Sequence, residues 1–284
     1  MKLDGRRRGG NIEDRRGKGS GGKISLGIGG TIIAAIIIWL MGGNPMEFIS
    51  QQAMEGVTTD GNYTSSPEEE RLKDLSDVVF TSTEEVWTEI FQQNGMKYTP
   101  PKMVLFTGAT QSGCGAASSS TGPFYCPLDQ TVYIDLSFFS QMQNQLGAGG
   151  DFAYAYVIAH EVGHHVQHQL GTLGQVQKQQ QRMSQTESNQ MNVRLELQAD
   201  FYAGVWAYHD RKNFDSIDDQ DIKNGLNAAN KIGDDHLQME SQGYTVPDAF
   251  NHGTSDQRYR WLKKGIETGN ISQGDTFSIP YSQL

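Results

Sequence analysis

The chain has 284 residues, with 23 Lys and Arg against 33 Asp and Glu, a formal net charge of −10. A hydrophobic fraction of 36% with 10% aromatics excludes wholesale disorder, and the length allows one large domain or two small ones. The acidic balance argues against nucleic acid as a partner, and two cysteines are too few for a disulfide-dense scaffold.

The charge is unevenly spread. Residues 1–23 hold eight basic side chains against Asp4, Glu13 and Asp14, net +5, which leaves net −15 for the rest. Residues 24–41 read ISLGIGGTIIAAIIIWLM, a stretch without a charge. As a helix it extends about 27 Å, close to the thickness of a bilayer core, so it is predicted to anchor the chain in a lipid bilayer. No small-residue cleavage site follows it, which argues against a removed signal peptide. The positive-inside rule then places the basic arm 1–23 in the cytoplasm; in a bacterium the membrane would be the inner one. The body, beyond the inner membrane, would be periplasmic or extracellular. Residues 42–66 read as a flexible tether, and the folded domain is expected over 67–284.

Glu68 to Val79 carries Leu72, Leu75, Val78 and Val79 at helical spacing. Ser82 with Glu85 reads as a capping box opening a second helix through Gln93, stopped by Gly95. Lys102–Phe106 and Thr131–Asp135 read as strands, and the Gly- and Ser-rich stretch between them as a loop carrying Cys114 and Cys126. In an exported domain those two cysteines are expected to pair. Ser137–Leu146 suggests a short helix before the Gly147–Gly150 break, with Asp151 as the cap of a long helix running to Gly171. A Gln-rich amphipathic stretch follows over Leu173–Met191. Further helices are expected near Asn192–Asp210, Asp218–Ile232 and Ser255–Thr268. Together these give an α+β fold, a small sheet packed on a mainly helical body.

The first long helix contains His160-Glu161-Val162-Gly163-His164. Four residues advance a helix by about 400°, so both imidazoles project from one face a turn apart and can share a metal ion. Glu161, rotated by about 100°, is placed to contact a water at that metal, as a general base must. Neutral imidazole suits zinc, and three protein ligands with one open position make a catalytic site. Thirty-two residues on, Glu196 can complete the ligand set from the next helix. Asp200, one turn further, can accept the second N–H of a ligand histidine. His168 is the competing third ligand, but two such steps drift it about 80° from His160. His165 reads as a surface residue. A tetrahedral oxyanion needs a further donor, and His252, in a glycine-containing loop, is the first candidate, ahead of Tyr154, Tyr156 and Tyr202. An extended peptide is expected to pair along Thr131–Asp135.

HEVGHHVQ followed by ELQADFYAG, with SGCGAASSSTGPFYCP and VYIDLSFF upstream and HGTSDQRYRWLKKG downstream, resembles the neutral zinc metallopeptidase family of bacteria. The resemblance covers nearly the whole chain and implies a zincin-like fold of the Glu-zincin kind. It implies one zinc ion held by His160, His164 and Glu196, with Glu161 as general base, and a peptide or protein as substrate. The competing function is a zinc-stabilised scaffold at the membrane that hydrolyses nothing.

Overall fold

The computed structural model describes residues 1–9, 11–17 and 63–284. Helix α1 (Pro67–Gln93) starts on a capping box: Ser66 accepts from the Glu69 backbone N–H while the Glu69 side chain accepts from Ser66 N. Pro67 and Glu68 to Glu70 in its first turn suit the helix N-terminus. The helix runs unbroken through Ser82, where a second start was expected. Ser82 is buried, and its hydroxyl donates across the fold to Asp210 rather than back to its own helix.

Four strands form the main sheet in the order β1-β2-β6-β5. β1 (Ile12–Asp14), β2 (Lys102–Phe106) and β6 (Thr131–Asp135) are parallel, with Ile12 opposite Met103 and Lys102 opposite Thr131. β5 (Phe124–Cys126) closes the sheet antiparallel to β6, Phe124 opposite Tyr133. The strand alternation divides the apolar residues cleanly. Met103, Leu105, Val132 and Ile134 join the large helical core, whereas Val104, Phe106, Tyr133 and Cys126 pack on the other face. The stretch expected as a plain loop holds β5 and a hairpin, β3 (Ala109–Ser112) with β4 (Gly115–Ser118), and the Cys114–Cys126 disulfide ties the hairpin to the edge strand. Because β6 is bonded on both sides, the peptide pairing expected along Thr131–Asp135 has no free edge there.

The basic arm overturns the expected topology. β1 belongs to it, so the arm is part of the sheet. Arg6 reaches Asp210 at 2.7 Å, Arg8 reaches Asp74 at 2.6 Å and Arg16 reaches both Asp14 and Glu70. Residues hydrogen-bonded into one sheet lie on one side of a membrane, so an arm in the cytoplasm with the body exported is incompatible with the fold. Among the described residues no helix is long and apolar enough to cross a membrane. The anchor expected at 24–41 and most of the tether expected at 42–66 lie outside the described residues. Among the described residues, Lys2, Arg6, Arg7, Arg8 and Arg16, read as part of a topology signal, are counter-charges for the acidic body.

After α2 (Ser137–Leu146) and the glycine break come α3 (Asp151–Gln169), α4 (Thr172–Gln180), α5 (Gln185–Phe214), α6 (Asp219–Lys231), α7 (Asp234–Gln242) and α8 (Ser255–Thr268). The Gln-rich stretch is thus split, its second part forming the start of α5, and α7 had no counterpart in the sequence reading. Glycines set the closest crossings. A Cβ on Gly163 of α3 would stand 3.0 Å from the Ala199 carbonyl oxygen of α5. One on Gly204 of α5 would stand 2.3 Å from the Leu262 carbonyl oxygen of α8. These contacts bring α3, α5 and α8 together around one polar cluster.

Candidate metal centre

α3 carries His160, Glu161 and His164 inside the fold, with apolar Val157, Ile158 and Val162 buried around them. α5 crosses at Gly163 and Ala199 and brings Glu196 to the same point. Glu196 Oε2 lies 3.1 Å from His160 Nε2 and Oε1 lies 3.4 Å from His164 Nε2. One donor atom from each of the three falls within 4.8 Å of the others. Tetrahedral zinc with bonds of about 2.0–2.2 Å needs donors roughly 3.3–3.5 Å apart, so this donor set and spacing fit that ion.

The field fits a cation as well. Burial pushes the His160 imidazole down, but Asp200 and Glu196 more than offset it and raise its pKa to about 10. Burial likewise pushes the Glu196 carboxyl up, yet His164 and His160 hold it well below the ordinary carboxylate value. A pocket that stabilises positive charge on an imidazole stabilises it on a metal at the same place.

Each histidine is fixed by its other nitrogen. His160 Nδ1 is 2.8 Å from Asp200 Oδ1, which leaves Nε2 for a metal. Asp200, fully buried, also accepts from Tyr156 OH at 2.6 Å and from Arg258 Nε at 2.9 Å. Burial alone would raise the Asp200 carboxyl, but Arg258 and His160 hold it below its usual value. His164 Nδ1 lies 2.9 Å from Gln167 Oε1, and the Gln167 amide donates on to the Leu195 carbonyl at 2.7 Å. Arg258 and Gln167 were not foreseen from the sequence, and Tyr156 was foreseen only as a weak oxyanion donor, not as a partner of Asp200. Tyr156 and Gln167 sit at helical spacing from the histidines they serve and were detectable in principle. Arg258 lies 58 residues beyond Asp200, and no local signal joins them.

Glu161 is almost fully buried, and its carboxylate has no hydrogen-bonding partner among the described residues. His168 packs edge-on against Tyr125, ring centres 6.2 Å apart, and is not among the converging donors. His165, expected on the surface, is buried instead, held by the Tyr125 hydroxyl and the Thr99 carbonyl. The weaker oxyanion candidates are otherwise engaged: Tyr156 OH binds Asp200, Tyr154 OH donates to Gln143, and the Tyr202 ring packs in the core against Trp87. His252 stands at the site's margin, its side chain 42% exposed and its Nδ1 3.1 Å from Asp234 Oδ1.

With this geometry in view, the likeness to known proteins is decisive. Residues 1–277 match the family described as "Putative neutral zinc metallopeptidase". The chain belongs to that family. The uncharacterised protein YpfJ of Escherichia coli K12 is 44% identical over 98% of this chain and 99% of its own. The uncharacterised protein Rv2575 of Mycobacterium tuberculosis H37Rv is 45% identical over 64% of each chain. No solved structure matches. The family match includes the arm, in keeping with the arm's place in the sheet.

Proposed function

We propose that the protein is a zinc-dependent peptidase acting on peptides or proteins, with His160, His164 and Glu196 as ligands and Glu161 as general base. The observation that carries this is a three-donor cluster with an uncommitted carboxylate on the residue next to a ligand. A site built only for stability closes its coordination with four protein ligands and has no use for Glu161. That weighs against the scaffold reading.

Zinc bound there would supply Lewis acidity toward a water and a substrate carbonyl. Glu161 accepts the proton of the attacking water and passes it to the departing amine. Asp200 and Gln167 keep the two imidazoles turned with Nε2 inward throughout. His252 donates from Nε2 to the oxyanion that forms on the carbonyl. The substrate lies extended along β5, which among the described residues has no strand on its outer side and whose Tyr125 packs against α3 at His165.

Metal analysis of the full chain with an unbiased peptide-cleavage screen tests this. Glu161→Gln is expected to keep stoichiometric zinc and its fold while losing hydrolysis. His160→Ala, His164→Ala and Glu196→Ala should each lose most of the metal. A Glu161→Gln protein that cleaves as fast as the parent would refute the assignment.

A further inference from the structure

The loop before α8 is organised by a single side chain from a different helix. Asp234, the first residue of α7, is buried, and its Oδ2 accepts three consecutive backbone N–H groups, those of Asn251, His252 and Gly253, at 2.7, 2.7 and 3.0 Å. Its Oδ1 faces His252 Nδ1 at 3.1 Å. The Asp234 backbone N–H in turn donates to the Gly253 carbonyl at 2.9 Å. The approach is close enough that a Cβ on Gly233 would stand 2.2 Å from Ser255 N. Gly253 itself has φ +98° and packs against Leu197 and Val193 of α5, the helix that carries Glu196.

We propose that Asp234 is a positioning residue for the peptidase: it builds the 251–253 turn and locks the His252 ring so that Nε2 is the nitrogen presented to the substrate oxyanion. This rests on the peptidase reading and on His252 as oxyanion donor. The geometry supports it on two counts. A carboxylate with three backbone N–H groups on one oxygen has only its other oxygen left for the ring, so ring and turn are set by the same group. The turn so held lies against Leu197, the residue next to Glu196 on α5. A carboxylate at Nδ1 also favours the doubly protonated ring, in which Nε2 carries a proton to give.

Asp234→Asn, His252→Ala and the double variant test this in the zinc-loaded full chain, with zinc content and thermal melting recorded for each. Asparagine retains an oxygen for the backbone N–H groups, so Asp234→Asn keeps the turn while removing the carboxylate. Two probes separate the roles: a phosphonate dipeptide, which presents a tetrahedral anion, and acetohydroxamate, which needs only the metal. Asp234→Asn should weaken the phosphonate by roughly tenfold or more and leave acetohydroxamate within about twofold. On fluorescein-labelled casein it should lower kcat with little change in KM, and adding it to His252→Ala should cost nothing further. Equal loss of both probes, a fall in zinc content, or additivity with His252→Ala would overturn the proposal and leave Asp234 a purely structural cap. A parent that binds zinc and both probes but cleaves no casein counts against the peptidase reading, while the probe comparison still decides the role of Asp234.

Discussion

His165 follows a metal-ligand candidate directly in sequence and does the opposite job. Burial depresses its pKa to about 4, outweighing the Thr99 carbonyl, whose hydrogen bond to the ring pulls it the other way. The unfolded ring protonates near 6.5, so between pH 6.5 and 4 the unfolded state binds the proton and the folded state does not. Stability from this residue is therefore complete above pH 6.5 and is lost as the pH falls, by about 3 kcal/mol below both values. Urea unfolding from pH 7 to pH 4 should show the parent losing more stability than His165→Gln. That variant starts lower at pH 7, and the two curves should converge on acidification. In sequence His165 reads as a surface residue, because a histidine next to a ligand reads as polar; the burial of α3 around it reverses that.

At the scale of elements, the arm is tied down by charge. Asp210 is fully buried and accepts from Arg6, Ser82 and Ser216, with Arg6 as its ion-pair partner among the described residues. Breaking such a pair from one side leaves a buried charge and costs about 3–5 kcal/mol. Arg6→Met should lower unfolding stability by that order, and Asp210→Asn added to it should restore part of the loss. A second element-level expectation concerns the crossing of α5 and α8. Gly204→Ala puts a methyl against the Leu262 backbone, and overpacking of this kind costs about 1–3 kcal/mol. Because α8 carries Arg258 to Asp200, the same substitution should weaken zinc binding, measurable by chelator competition. Of these elements, strands β2 and β6 and helices α2, α3, α6 and α8 were legible in hydrophobic period and caps. The run through Ser82 was not, since S-x-x-E marks a start only when the serine lacks a better partner elsewhere. β1 was not legible either, because a three-residue edge strand rich in charge has no periodicity to read.

For the molecule as a whole, the Cys114–Cys126 disulfide closes a loop with a sequence separation of 12. The chain-entropy model assigns such a loop about 3 kcal/mol. Replacing both cysteines by serine should lower the denaturation midpoint accordingly while leaving zinc content unchanged, since the disulfide joins the β3–β4 hairpin to β5 and not the helices that hold the donors. The convergence of His160, His164 and Glu196 was readable from spacing, because one helix turn relates two of them and a second helix motif supplies the third. What lay beyond sequence was every group that arrives from a distance to steady them, Arg258 and Asp234 above all. The error in topology has the same root: positive charges ahead of an apolar run carry one meaning when their partners are unknown and another when Arg6, Arg8 and Arg16 prove to pair with Asp210, Asp74 and Glu70.

The position of β1 also bears on how the protein is made. Arg6 and Asp210 are separated by 204 residues, and Ile12 pairs with Met103. During synthesis the arm must therefore wait for most of the chain before it has its partners, and parallel pairing across such a span is slow to form. Until then the outer edge of β2 is bare, a row of unpaired backbone groups open to another nascent chain. A shortened protein that starts after residue 17 would keep that bare edge permanently, together with an uncompensated carboxylate in its core, and its yield would be limited by aggregation rather than by chemistry at the metal.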